Sequence, residues 1–240
     1  MSTNKPQTAA SGRLFAIGDI HGCPDELNAL LNAVDPGAQD TLVFMGDYID
    51  RGPASRDVID LLLETRKRRC QTIFLKGNHE DMMLSFLGYP GRYGDSFLLN
   101  GGIATLLSYG IGEDRVDDAL ELLPTRHVEF LRELQIQFIK DSYLFVHAGV
   151  QPLRKLEEQE AEDLMWIRQE FILHPHELDL TVIFGHTPMR EVLFDLPYKV
   201  GIDTGLVYGG KLTCLELTEG VCHQVARGST KVKRHTVALA

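Results

Sequence analysis

The first eighty residues alternate between short apolar runs and amphipathic ones, and this restricts the chain to a narrow group of folds. Residues 13–17 (RLFAI) read as a buried strand. Residues 25–34 set Leu27, Leu30, Leu31 and Val34 at helical spacing. Residues 41–45 (TLVFM) form a second apolar run. Residues 54–69 read as a second helix, with Val58, Ile59, Leu62 and Leu63 on one face and Pro53 at its start. Residues 72–75 supply a third strand. A βαβαβ succession requires parallel pairing with right-handed crossovers. The middle, 79–135, is expected to be helical and is punctuated by Gly88, Gly91, Gly94, Gly101 and Gly102. In the last third, residues 143–146, 182–184, 199–202, 211–217 and 221–226 read as strands, and 153–171 as a charged helical stretch. An α/β half followed by a strand-rich half predicts an α/β domain with two sheets.

The apolar strands end alike. Strand one runs into Gly18-Asp19-Ile20-His21-Gly22, strand two into Gly46-Asp47-Tyr48-Ile49-Asp50-Arg51-Gly52, and strand three into Gly77-Asn78-His79-Glu80. The strand near 145 ends in His147-Ala148-Gly149, and the strand near 183 in Gly185-His186-Thr187. Ligands of parallel α/β sheets bind beyond the carboxyl ends of strands, so these five ends can converge on one place. Asp, His and Asn without a thiolate suit divalent manganese, iron or zinc. There are more candidate ligands than one tetrahedral ion needs. They suit two ions about 3.5–4 Å apart, sharing a carboxylate and clamping a phosphate for in-line displacement. His127, His174, His176, His223 and His235 fall outside these ends and are read as non-ligands.

Composition narrows the partners. The chain of 240 residues is 44% hydrophobic with a net charge of −10. An acidic balance argues against a general nucleic-acid binder and against an anionic membrane surface, though bound metal ions can make an acidic protein's pocket positive. No run approaches the roughly 18 apolar residues of a membrane helix, and the N-terminus lacks the apolar core of a secretory signal. Cys23, Cys70, Cys214 and Cys222 form no C-x-x-C pair and are expected to be reduced thiols of a cytoplasmic protein. Residues 1–11 are expected to be a disordered tail, 12–226 one domain, and 227–240 a solvated basic tail.

The motifs GDIHG (18–22), GDYIDRG (46–52), GNHE (77–80), HAG (147–149) and GHT (185–187) together resemble the phosphoprotein phosphatase branch of the calcineurin-like metallophosphoesterases. The likeness is to the compact bacterial and phage-type Ser/Thr protein phosphatases. Asn100-Gly101-Gly102, Ile202-Asp203-Thr204-Gly205 and Tyr208-Gly209-Gly210-Lys211-Leu212 also resemble the bacterial branch. The resemblance implies a two-sheet mixed β-sandwich flanked by helices. It implies two divalent ions, manganese above all, with iron or zinc as alternatives. Asp19 and His21 would hold the first ion, Asp47 would bridge, and Asn78, His147 and His186 would complete the second. His79 would be the general acid, oriented by Asp50, with a pKa raised by that carboxylate. Arg51 would bind the substrate phosphate with Asn78. Trp166-Ile167-Arg168 fits the family's second arginine, which makes Arg168 the other phosphate ligand.

The activity so implied is removal of phosphate from phosphoserine and phosphothreonine proteins by attack of a metal-bridging hydroxide. No nucleic acid, membrane or regulatory subunit is expected as a partner. The rival reading is a symmetric bis(5'-nucleosyl)-tetraphosphatase, or a small-molecule phosphoesterase, using the same metals. Asp50, and Glu80 in place of the Asp that follows GNH in those enzymes, weigh toward the phosphatase.

Overall fold

A computed structural model describes residues 12–239; the segment 1–11, read as a disordered tail, lies outside the described residues. The strands are β1 Leu14–Ile17, β2 Thr41–Phe44, β3 Gln71–Phe74, β4 Gln137–Lys140, β5 Tyr143–Val146, β6 Thr181–Phe184, β7 Leu193–Asp195, β8 Lys199–Gly201, β9 Lys211–Glu216, β10 Val221–Ala226 and β11 Val232–Thr236. The helices are α1 Pro24–Val34, α2 Ser55–Arg66, α3 Asn78–Phe86, α4 Ile103–Ser108, α5 Ala119–Leu122, α6 Thr125–Arg132, α7 Ala161–Trp166 and α8 Gln169–Leu173.

Two mixed sheets form. One runs β11-β10-β9-β1-β2-β3, the other β4-β5-β6-β8-β7. In the first, β1, β2 and β3 are parallel while β9, β10 and β11 pair antiparallel. In the second, β5, β6 and β8 are parallel and the edges β4 and β7 antiparallel. The strand period of two divides each parallel strand between two apolar layers. Leu14, Ala16, Val43, Met45, Ile73 and Leu75 face Phe145, Ile183, Val200 and Ile202 between the sheets. Phe15, Ile17, Leu42 and Phe44 turn outward onto Leu27, Leu30 and Leu31 of α1 and Val58, Ile59 and Leu62 of α2. Val182 and Phe184 turn the other way onto Phe171 of α8. Strands covered on both faces need continuous apolar runs, which is why these runs are legible in the sequence.

Three strands were not anticipated. β4 (QFIK) alternates exposed and half-buried residues at an edge, and β7 has three residues. β11 lies within the segment read as a solvated basic tail; it pairs with β10 from Val232 to Val225 through Thr236 to Val221, and its Lys233, Arg234 and His235 remain exposed. The stretch 153–171 is not one charged helix. It divides into a 3-10 turn at Leu156–Glu158, α7 and α8. The break falls at Ile167 (φ −59°, ψ 143°) and Arg168 (φ −131°, ψ −98°). Among the described residues no helix is long and apolar enough to cross a membrane.

Candidate active site

The carboxyl ends of β1, β2, β3, β5 and β6 meet, as the five sequence motifs require. The meeting is tight. A Cβ on Gly185 would lie 2.1 Å from Asp19 Oδ1, and one on Gly46, whose φ is +100°, would lie 2.6 Å from Gly77 N and 2.9 Å from His147 Nδ1. Non-glycine residues also take left-handed backbone here: His21, Asp47, Asp50, Arg51 and His186 have φ between 45° and 71°. Such residues cost about 1–3 kcal/mol each and cluster where function over-determines the backbone.

Glu80 explains how the β2 turn holds that shape. Its Oε2 accepts the N–H of Asp47 and of Gly77, each at 2.9 Å, and its Oε1 accepts the N–H of Tyr48 at 2.7 Å. Burial, then the Asp47 charge, pushes Glu80 up to about 7. The Glu of GNHE is therefore a brace between two strand ends and spends its acceptors on backbone, so it does not read substrate.

Four lone-pair atoms converge on one point. Asn78 Oδ1 lies 3.1 Å from His147 Nε2 and 2.9 Å from His186 Nδ1, and Asp47 Oδ1 lies 3.3 Å from His147 Nε2. The other nitrogen of each ring donates to a carbonyl: His147 Nδ1 to Met45 at 2.7 Å, His186 Nε2 to Trp166 at 3.3 Å. This fixes the tautomers and turns unprotonated nitrogens inward. With both rings neutral, acceptors face acceptors here with no donor between them, which describes a cation site. Burial lowers the His147 pKa, but the Asp47 carboxylate outweighs it and leaves the ring above its usual value.

The second point is beside it. His21 Nδ1 donates to the Ile49 carbonyl at 2.8 Å, and its Nε2 lies 3.5 Å from Asp47 Oδ2. Burial drives His21 down to about 3, so the ring is neutral and its Nε2 is an acceptor. Arg51 Nη1 donates to it at 2.8 Å. Asp19 Oδ2 accepts the His186 N–H at 3.0 Å, while Asp19 Oδ1 is buried with no hydrogen-bond partner. Burial first, then the charges of Asp203 and Asp47, hold the Asp19 carboxyl well above the usual range. An orphaned carboxylate oxygen in such company is costly unless a cation meets it. The residues thus fit two ions with Asp47 common to both. The ligand atoms of Asp47, His147 and His186, and those of His21, Asp47 and His79, each lie within 4.8 Å of one another.

His79 Nδ1 sits 2.6 Å from Asp50 Oδ2, and Asp50 Oδ1 accepts the Thr105 hydroxyl at 2.6 Å. The Asp50 N–H reaches Thr105 Oγ1 at 2.8 Å and Ser55 Oγ at 3.1 Å. The expectation of a raised His79 pKa is not met. Burial pushes it down to about 4, and Arg51, His147 and Arg168 add to the fall against the pull of Asp47. Arg168 is exposed at the break before α8, and its Nη1 donates to the His186 carbonyl at 3.1 Å. Arg51 and Arg168 therefore approach from different elements. The exposed ring of Tyr208 covers Arg51, 5.5 Å from Cζ to the ring centre.

Cys23 is buried beside the first turn. Its Sγ donates to the His21 carbonyl at 3.2 Å, and burial raises the thiol to about 11. It is a packed, unreactive thiol. The sequence motifs gave no sign of Thr105 and Ser55 behind Asp50, and Asp203 stood there only within the 202–205 motif, with no role. The last follows β8, a strand of only three residues, but the apolar-then-Asp-Gly pattern of 202–205 was visible.

Residues 12–216 match the family model of the calcineurin-like phosphoesterases, and the chain belongs to that family, which works with two metal ions. It is 26% identical to a symmetrical bis(5'-nucleosyl)-tetraphosphatase of Janthinobacterium sp. (strain Marseille), over 88% of this chain and 95% of that one. It is 32% identical to serine/threonine-protein phosphatase 1 of Salmonella typhimurium, over 83% of this chain and 89% of that one. A crystal structure named as a diadenosine tetraphosphatase superposes with a TM-score of 0.69 at 25% identity, covering 91% of this chain and 95% of that chain.

Proposed function

We propose that this calcineurin-like phosphoesterase hydrolyses dinucleoside tetraphosphates, cleaving a phosphoanhydride by in-line attack of water. From the sequence alone this reading stands second. Two things move it forward. Glu80 braces backbone and carries no weight for a phosphoprotein substrate. The symmetrical tetraphosphatase and the superposed structure also carry that activity in their names. The observation that carries the reading is the pairing of Arg51 with the exposed ring of Tyr208 at the mouth of the site. A guanidinium for phosphate oxygens beside an open aromatic face is what a nucleotide presents itself to. Stacking of a base on such a ring is worth about 1–3 kcal/mol.

The ions, when bound, supply Lewis-acid polarisation and an activated water; manganese is our proposal for their identity. Asp19, His21 and Asp47 would hold the first, and Asp47, Asn78, His147 and His186 the second. Arg51 and Arg168 orient the phosphoryl oxygens and neutralise charge that grows on them. His79 stands to give a proton to a departing oxygen that needs one, with Asp50 fixing its Nδ1–H and thereby aiming its Nε2.

The second reading is dephosphorylation of phosphoserine and phosphothreonine proteins. It is favoured by the buried His79–Asp50–Thr105 chain, because an alkoxide leaves only with a proton whereas a nucleoside polyphosphate leaves as a stable anion, and by the 32% identity to the Salmonella phosphatase. Both are tested by measuring kcat/KM for diadenosine tetraphosphate and for a phosphoserine peptide on one manganese-loaded preparation. Preference for the dinucleotide is expected, and its products (two ADP, or AMP with ATP) fix where the chain is cut. Preference for the peptide reverses the order of the readings, and no turnover of either by the doubly loaded protein refutes both.

A further inference from the structure

Tyr93 stands where a bulky residue is costly. Its φ is +58°, left-handed backbone that a large side chain adopts only when its surroundings impose it. Burial does not offset the strain, since the residue is 50% exposed. The segment that holds it is pressed onto α3: a Cβ on Gly91 would lie 2.6 Å from the Asp81 carbonyl oxygen, and one on Gly94 2.6 Å from Phe86 N. From α7, Glu162 fixes it on the other side. The Tyr93 hydroxyl donates to Glu162 Oε1 at 2.6 Å, and Arg92 Nη1 meets Glu162 Oε2 at 2.7 Å. The Tyr93 ring stands edge-to-face with Trp166, 4.8 Å between centres. The strained backbone thus holds an exposed aromatic ring at one fixed place, and that place adjoins the metal positions. The Trp166 carbonyl accepts from His186 Nε2 at 3.3 Å, and the Trp166 and His186 rings lie 6.4 Å apart.

We propose that Tyr93 is the platform for the second nucleobase of a dinucleotide, as Tyr208 is for the first; this rests on the tetraphosphatase reading of the site. Tyr208 adjoins Arg51, whose Nη1 touches His21 of the first metal position. Tyr93 adjoins Trp166, whose carbonyl holds His186 of the second. Arg168, two residues past Trp166, touches the His186 carbonyl at 3.1 Å. Each position therefore has its own arginine and its own exposed aromatic ring. A substrate with a nucleoside at both ends of its phosphates covers both rings, and one with a single nucleoside leaves a ring bare. Stacking accepts any base because every base has a π-face, so the pair of rings selects for two-ended substrates rather than for adenine.

The test is steady-state kinetics of manganese-loaded full-length wild type, Tyr93→Leu and Tyr93→Phe on diadenosine tetraphosphate and on adenosine 5'-tetraphosphate, which has one base. Tyr93→Leu is expected to raise KM for the dinucleotide about 5–100-fold at nearly constant kcat, the pattern of lost uniform binding. It raises KM less for the one-base substrate, whose base still finds Tyr208. Tyr93→Phe keeps the ring and stays within about threefold of wild type. Equal rises on both substrates, or a Tyr93→Phe as impaired as Tyr93→Leu, assign Tyr93 to holding Trp166 and His186 in place and overturn the proposal. An unchanged KM for the dinucleotide in Tyr93→Leu overturns it too, while the tetraphosphatase reading stands. Trp166 is the chain's one tryptophan and gives a readout on the wild type alone: ADP quenches its emission and tripolyphosphate does not, and equal responses to the two overturn the proposal. Wild type that does not hydrolyse the dinucleotide removes the tetraphosphatase reading itself and this inference with it.

Discussion

His79→Asn separates an acid catalyst from a residue that only shapes the metal positions. Nδ1 of His79 is engaged by Asp50 at 2.6 Å, and Nε2 lies 3.9 Å from Asp47 Oδ2, the carboxylate common to both ion positions. That nitrogen is the one placed to give a proton to a leaving oxygen. General acid catalysis is worth about 10²–10⁴-fold when the leaving group needs it. Burial pushes the ring down to about 4, so the protonated imidazole is the minor form at neutral pH. The rarer acid is also the stronger one, so part of that cost returns in the transfer itself. The expected loss lies near the lower end of the range, about 10²-fold in kcat, on a phosphoserine peptide. On p-nitrophenyl phosphate, whose nitrophenolate leaves as an anion, the loss is about tenfold or less. Diadenosine tetraphosphate falls with the aryl phosphate. The assay is steady-state kinetics of wild type and variant on the three substrates, with metal content measured on each sample. Equal losses on all three at full metal occupancy would refute the acid role and assign the effect to damage at Asn78 and Asp47.

Asp47→Asn removes the shared carboxylate and is expected to lower the content of both ions together, read by elemental analysis after gel filtration, whereas Asn78→Ala lowers one. Manganese affinity is expected to rise with pH, because the Asp47 charge holds the His147 pKa above its ordinary value and a proton there competes with the ion; titrations at pH 6 and 8 with equal affinities would contradict this. Glu80→Gln turns donors toward the N–H groups of Asp47, Tyr48 and Gly77, and each buried N–H left unpaired costs about 1–3 kcal/mol, so a clear drop in the melting temperature of stripped protein is expected. Cys23→Ser is expected to keep most of the activity, and a thiol reagent that inactivates the wild type while sparing this variant would overturn that expectation.

The elements that were legible in the sequence are those buried on both faces. β1, β2 and β3 are covered by the second sheet on one side and by α1 and α2 on the other, so their residues form continuous apolar runs bounded by glycine. β4, β7 and β11 carry no such signal. They are edge strands whose pairing comes from a neighbour already in place, and the sequence Val232–Thr236 with its lysine, arginine and histidine reads as solvated because its side chains are solvated. The break at Ile167 and Arg168 was equally hidden, because helical spacing persists across it. The direction of the His79 pKa could not be foreseen from a neighbouring carboxylate, because burial of both partners costs more than their pairing returns.

The site itself was legible because its chemistry belongs to one end of parallel strands. Among the described residues only β1, β2, β3, β5, β6 and β8 pair in parallel, and their carboxyl ends lie at the site. Each ends in a turn carrying Asp, Asn or His, while the antiparallel β4, β7, β9, β10 and β11 supply no site residue. One sheet alone would offer Asp19, His21, Asp47 and Asn78, a set too short of donors for two ions. The other alone would offer His147 and His186 without a bridging carboxylate. The apolar layer of Ala16, Val43, Ile183 and Val200 between the sheets sets their distance, and with it how closely Asn78 from the first can meet His147 and His186 from the second. A substitution that thickens this layer, Ala16→Leu for instance, is therefore a change at the metal positions made from within the core.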